Sequence, residues 1–89
     1  MLSPSDQAVI LRSAQKYTAT AVYLFGSSLR EGERARDIDL GVKGIDPLVF
    51  FKFYGELMRR LSKPVDVVDL SEPTRFNALV EKRGVKIYG

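Results

Sequence analysis

The apolar positions change period along the chain, and each change marks an element. Ile10, Ala14 and Tyr17 recur at i, i+4 and i+7, which is one face of a helix ending near Tyr17. Ser3-Pro4-Ser5-Asp6 starts it, with Ser3 as cap, Pro4 in the first turn and Asp6 placed to complete a capping box. Ala21-Val22-Tyr23-Leu24-Phe25 is a nearly continuous apolar run of aromatic and branched residues, the pattern of a buried strand. Gly26-Ser27 breaks that run, a short helical turn follows to Arg30, and Glu31 to Arg36 is a polar loop. Asp37 to Val42 reads as a second strand. Asp46-Pro47 repeats the cap-plus-proline start, and residues 48–61 are expected to form a long amphipathic helix. Its inward stripe is Phe50, Phe53, Leu57 and Leu61, with Lys52, Glu56, Arg59 and Arg60 mostly outward. Gly55 in its middle weakens the helix by about 1 kcal/mol relative to Ala. After the break at Lys63-Pro64, Val65 to Leu70 is a third strand. Ser71-Glu72-Pro73 opens a last helix through Phe76, Leu79 and Val80, closed by Gly84, and Val85 to Tyr88 is a short extended tail.

Helices between strands predict an α/β fold, a small mixed three- to four-stranded sheet with helices packed on it. The connection between the first two strands is too short for a parallel crossover, so they are expected to be antiparallel. The long helix after the second strand permits a parallel crossover to the third.

With 89 residues the chain is expected to be one domain, residues 1–89. So small a domain buries a modest share of its surface, which favours a homo- or hetero-oligomer. The net charge of +3 suits a nucleotide or an acidic partner but is weak support for nucleic-acid binding. The absence of Cys and His excludes disulfides, thiol nucleophiles, zinc-thiolate sites and any Ser-His or Cys-His mechanism, leaving carboxylates as the strong metal ligands. The first residues lack the layout of a signal peptide and no apolar run approaches membrane-spanning length, so a cytoplasmic protein is expected.

The candidate chemistry lies between Leu24 and Leu40. Gly26 permits a tight turn and close backbone approach to a ligand, and a Gly-Ser turn entering a helix presents free N–H groups to phosphate. On a strand, Asp37 and Asp39 share a face with Cα atoms about 6.5–7 Å apart. Two hard oxygen ligands so placed suit Mg²⁺, and ions about 3.5–4 Å apart clamp both oxygens of a phosphoryl transfer. Alone, Gly-Ser is an ordinary turn and alternating charge is an ordinary strand face; the signal is their combination. Arg30, Arg34 and Arg36 read either as a solvated loop or as a triphosphate contact. Asp66 and Asp69 have opposite parity on the third strand, so only one of them faces the site.

This combination resembles the Gly-Ser … Asp-x-Asp motif of the DNA polymerase beta-type nucleotidyltransferase superfamily, and most closely its small stand-alone members, the minimal nucleotidyltransferases (MntA-like antitoxins). Gly26, Ser27, Arg30, Asp37, Asp39 and Leu40 fit the motif, while Arg36 stands where Ser is common and Glu31 separates Arg30 from Gly32. The resemblance implies a nucleotidyltransferase-type fold with nucleotide-binding residues Gly26, Ser27 and Arg30. It implies catalytic and metal-ligating residues Asp37, Asp39 and a third carboxylate, for which Asp66 in Val65-Asp66-Val67-Val68 is the better match than Asp69. It implies two Mg²⁺ ions and ATP as substrate. It also implies a HEPN-type helical toxin as partner and acceptor of AMP, which would make the chain an antitoxin. Two other classes stay open: a catalytically silent nucleotide-binding module that neutralises a partner by contact, and a transferase acting on RNA or a small hydroxylated molecule through a separate substrate-binding subunit.

Overall fold

The computed structural model describes residues 2–89. Helix α1 (Pro4–Lys16) leads into strand β1 (Ala21–Phe25), then the short helix α2 (Ser27–Glu31) and a 3-10 turn over Gly32–Arg34. Strand β2 (Ile38–Lys43), helix α3 (Phe50–Arg60), strand β3 (Val65–Asp69), helix α4 (Arg75–Arg83) and strand β4 (Val85–Tyr88) follow. The sheet order is β3-β2-β1-β4. β1 is antiparallel to β2 and to β4, and β2 is parallel to β3, the arrangement expected from the lengths of the connections. The segment read as an extended tail is thus a fourth strand, and it covers an edge of β1 that would otherwise leave a row of backbone groups unpaired.

The core follows from strand alternation. Val22, Leu24, Ile38, Leu40 and Val42 turn to one face of the sheet and are buried against Ile10 and Ala14 of α1 and Phe53 and Leu57 of α3. Gly41 turns to the other face, where α4 lies so close that a Cβ there would sit 2.7 Å from Leu70 Cδ1 and 3.0 Å from Val80 Cγ1. Helices therefore cover both faces, and α4 leaves the Asp39 end of its face open.

Several local readings are corrected. Ser3 caps α1 through the Asp6 N–H, but the Asp6 carboxylate does not return to Ser3; it is buried and accepts from the Ser62 N–H at 3.0 Å and the Ser62 hydroxyl, tying the start of α1 to the end of α3. The long helix begins at Phe50 rather than Leu48, because Asp46 accepts from the Leu48 N–H and residues 47–49 form a turn first. The last helix begins at Arg75, capped by Thr74 rather than Ser71. Gly84 ends it in extended backbone, and its need for glycine is space: a Cβ would lie 2.6 Å from the Val80 carbonyl and 2.9 Å from that of Leu24.

Glu56, expected on the outward side of α3, is buried. Its carboxylate accepts from the Ser13 hydroxyl at 3.0 Å, from Lys16 Nζ at 2.8 Å and from the Tyr17 hydroxyl at 3.4 Å. The hydrogen bond from Lys16 outweighs the effect of burial and holds Glu56 below the ordinary glutamate range. A carboxylate lowered on folding stabilises the fold above its unfolded pKa, and that stability disappears as pH falls through the folded value. Glu56→Gln should therefore lower the melting temperature at neutral pH, and the gap to wild type should close as pH falls below the ordinary glutamate range. A gap of equal size at neutral and acid pH would show that packing, not charge, accounts for it.

Candidate active site

The strand register builds the site. Phe25 at the end of β1 lies opposite Asp39 of β2, and Asp39 lies opposite Asp66 of β3, so three neighbouring strands place these residues in one row. Asp37, expected inside the strand, immediately precedes it and is exposed. Asp69 is opposite Val42, and its carboxylate accepts from the Ser71 N–H at 2.9 Å, a strand-end turn. The register thus brings Asp66, not Asp69, beside Asp39.

Gly26 sits where β1 turns into α2, with φ 67° and ψ −148°, a conformation almost restricted to glycine. A Cβ at this position would be 2.5 Å from Asp39 Oδ2. The turn therefore lies directly on the Asp39 carboxylate, and the Ser27 N–H is directed at that carboxylate. Gly26→Val should fail on two counts, backbone conformation and contact with Asp39, each costing about 1–3 kcal/mol. The expected result is a lower melting temperature together with loss of ATP binding; unchanged ATP affinity would remove the turn from the site.

Ser28 is 1 % exposed, and its hydroxyl donates to the Phe25 carbonyl at 2.8 Å and accepts from the Asp39 N–H at 3.2 Å. Tyr54 of α3 places its hydroxyl 3.2 Å from the Val65 carbonyl and 3.4 Å from Asp66 Oδ1. The sequence reading singles out neither residue for the site. Ser28 carried a faint signal as the second hydroxyl of the Gly-Ser-Ser turn. Tyr54 stood among four aromatic residues of one helix, and only the packing of α3 against β3 distinguishes it.

The Asp39 carboxyl is pushed up, first by burial and then by the negative charge of Asp66; the Ser27 N–H opposes this, Asp37 adds to it, and Arg30 offsets a little. Arg30 is thus within electrostatic reach of Asp39, while Arg34 and Arg36 are exposed on the loop that Lys63 ties down by donating to the Glu33 carbonyl at 2.6 Å. A groove of about 440 Å³ opens beside Gly26 and Arg30, walled by Phe25, Leu29, Phe76 and Arg83.

Among the described residues, no three acidic side chains close into a single ion cage. The donor set nonetheless suits a hard divalent cation. Asp39 and Asp66 are held side by side by register, Asp37 adds charge, and the crowding that raises Asp39 is the state a cation reverses. Asp37, Asp39 and Asp66 are the residues that would hold Mg²⁺.

Comparison with known proteins assigns the fold to a family. The family model for polymerase beta-type nucleotidyltransferases matches residues 9–89. The chain belongs to that family. Three solved structures show how far the likeness of this nucleotidyltransferase domain extends. A toxin–antitoxin complex with AMP-PNP superposes with a TM-score of 0.75 at 22 % identity, over 93 % of this chain and 73 % of the other. A tri-AMPylated Shewanella oneidensis HEPN toxin in complex with MNT antitoxin gives 0.70 at 21 % identity, over 94 % and 70 %. A mutant MntA toxin–antitoxin complex gives 0.70 at 25 % identity, over 100 % and 74 %. Identities this low establish a shared fold. No curated protein matches the chain. No helix among the described residues is long and apolar enough to cross a membrane.

Proposed function

We propose that this chain is a minimal nucleotidyltransferase domain that moves AMP from ATP to a hydroxyl of a partner protein. In this reading it acts in the cytoplasm as the antitoxin of a HEPN-type helical toxin. The observation that carries the catalytic half is the row of Asp39 and Asp66 with the Gly26 turn resting on the Asp39 carboxylate. The partner half is supported by the likeness to toxin–antitoxin structures, one of which holds an AMPylated toxin.

In this reading the Gly26–Ser27 backbone and the Ser27 hydroxyl hold the outer phosphates of ATP, with Arg30 beside them. Asp66 takes the proton from the acceptor hydroxyl. The acceptor oxygen forms its bond to the α-phosphorus, the bond from that phosphorus to the bridging oxygen breaks, and pyrophosphate leaves. Mg²⁺, as two ions held by Asp37, Asp39 and Asp66, would supply charge neutralisation of the phosphates. Tyr54 orients Asp66 through their hydroxyl contact.

The test is incubation with labelled ATP, Mg²⁺ and a HEPN-type protein from the same genome, followed by mass spectrometry for added AMP. Label on the partner supports the transfer. Neutralisation of the toxin without label, unaffected by Asp39→Asn, would instead establish a silent binding module. Ser27→Ala should cost about 1.5–3 kcal/mol of ATP affinity, the range for a hydrogen bond to a charged group, with little change in melting temperature. Calorimetric titration with ATP checks this, and full affinity in the variant would leave the turn a structural feature only.

A further inference from the structure

We infer that the outward face of α3 is the seat of a partner α-helix with an acidic flank. The inference rests on the proposed partnership with a helical protein and says where on this chain it is made. Phe51, Gly55 and Met58 of α3 are spaced four and three residues apart, the spacing of seam positions in a pair of packed helices, and Leu48 stands in the turn just before the helix. Leu48 is 90 % exposed, Phe51 83 % and Met58 64 %. The stripe that packs into the core, Phe53 and Leu57, lies on the other side of the same helix, so the outward stripe serves nothing inside the domain.

Gly55 is an independent pointer. A glycine inside a helix is unfavourable, and nothing within the fold requires this one. Its φ is not in the left-handed region, and a Cβ there would meet only the flexible Arg59 side chain, at 3.4 Å from Nη1. Bare backbone in the middle of an exposed apolar seam is what a second helix needs in order to approach closely.

Charge selects the occupant. The groove beside Phe51, about 560 Å³, is lined by Lys16, Lys52, Arg59, Tyr17 and Glu56. Glu56 is already bonded to Lys16, and Lys52 and Arg59 form no ion pair among the described residues, so this flank presents cations. Two copies of the chain pairing antiparallel would set that flank against its own image. A helix carrying Glu or Asp beside its apolar seam meets it favourably. On the opposite flank stands Tyr54, in contact with Asp66, so the acidic residues of the partner helix belong on the side that meets Lys52 and Arg59.

The full chain is titrated with two kinds of probe: a HEPN-type protein from the same genome, and a three-heptad synthetic helix with a leucine seam and either Glu or Lys flanks. The HEPN protein and the Glu-flanked helix should bind wild type, and the Lys-flanked helix should not. Phe51→Glu and Gly55→Leu should each weaken binding by at least about tenfold with an unchanged circular dichroism spectrum. Gly55→Ala should move two readouts in opposite directions, raising the melting temperature of the isolated chain while weakening helix binding. Wild-type binding by Gly55→Leu or Phe51→Glu, or equal binding of the two peptides, overturns the inference. A dimer in gel filtration that Phe51→Glu dissolves also overturns it, by making the occupant a second copy. Failure of the HEPN protein to bind wild type refutes the partner reading alone. The Glu-flanked helix then decides the surface: binding that Gly55→Leu abolishes upholds it, and no binding overturns it.

Discussion

Asp39→Asn should abolish nucleotidyl transfer and leave a folded protein with a melting temperature equal to or above that of wild type. Asp39 is the most enclosed of the three carboxylates, beside Asp66 and under the Gly26 turn. Neutralising it removes a ligand charge from the place where metal and phosphate are proposed to meet. Charge stabilisation of several kcal/mol in the transition state corresponds to a loss of about 1,000-fold or more, at about 1.36 kcal/mol per factor of ten. The stability expectation has the opposite sign for the same reason: the wild-type carboxylate is partly desolvated and faces Asp66, and an isosteric amide relieves both costs. Asp37→Asn, at an exposed position, should also lose transfer without loss of fold. Quenched-flow or steady-state transfer assays beside thermal melts of the metal-free protein check these outcomes. Transfer at the normal rate by either variant removes that residue from the site, and a large fall in melting temperature for Asp39→Asn reverses the account of its surroundings.

Phe53→Ala should cost about 3–5 kcal/mol and Phe53→Glu should leave the chain unfolded at neutral pH. Phe53 is completely buried, with its ring edge-on to Tyr17 at 5.8 Å between centroids and tilted against Phe50 at 6.5 Å. It joins α1, α3 and the sheet, so no neighbouring side chain is free to fill the space it leaves. The whole stability of a domain of this size is about 5–15 kcal/mol, so the Ala variant should lose a large part of it. Urea titration followed by circular dichroism measures the loss. A cost under about 1 kcal/mol would mean the helices close over the cavity, contrary to the packing described.

How much of this was legible in the sequence depended on how local each cause is. Ala21–Phe25 announced itself as a strand because five apolar residues in succession have no other economical place, and Gly26 announced a turn because its neighbours could not adopt its φ. The antiparallel and parallel pairings followed from connection lengths alone. Glu56 was illegible, since what buries it is Ser13, Lys16 and Tyr17 from about forty residues away, and helical period alone sends a glutamate to solvent. The four residues of β4 carry too little pattern to mark a strand; the pairing with β1 makes them one. Parity told Asp66 from Asp69 as alternatives, but only the register of β2 with β3 sets Asp66 beside Asp39. Asp6 shows a motif satisfied differently: the capping-box spacing was present, and Ser62 offered its carboxylate two donors.

The Ser28 hydroxyl has a mechanical meaning. By holding the end of β1 through the Phe25 carbonyl and the middle of the site through the Asp39 N–H, it makes the Gly26 turn and the acidic strand a single lever. Neither half can travel toward a nucleotide without the other. In the proposed reading, discrimination among acceptors rests on how a substrate is delivered to the row of Asp39 and Asp66, and a new acceptor would be reached by changing the delivering surface while the brace stays as it is.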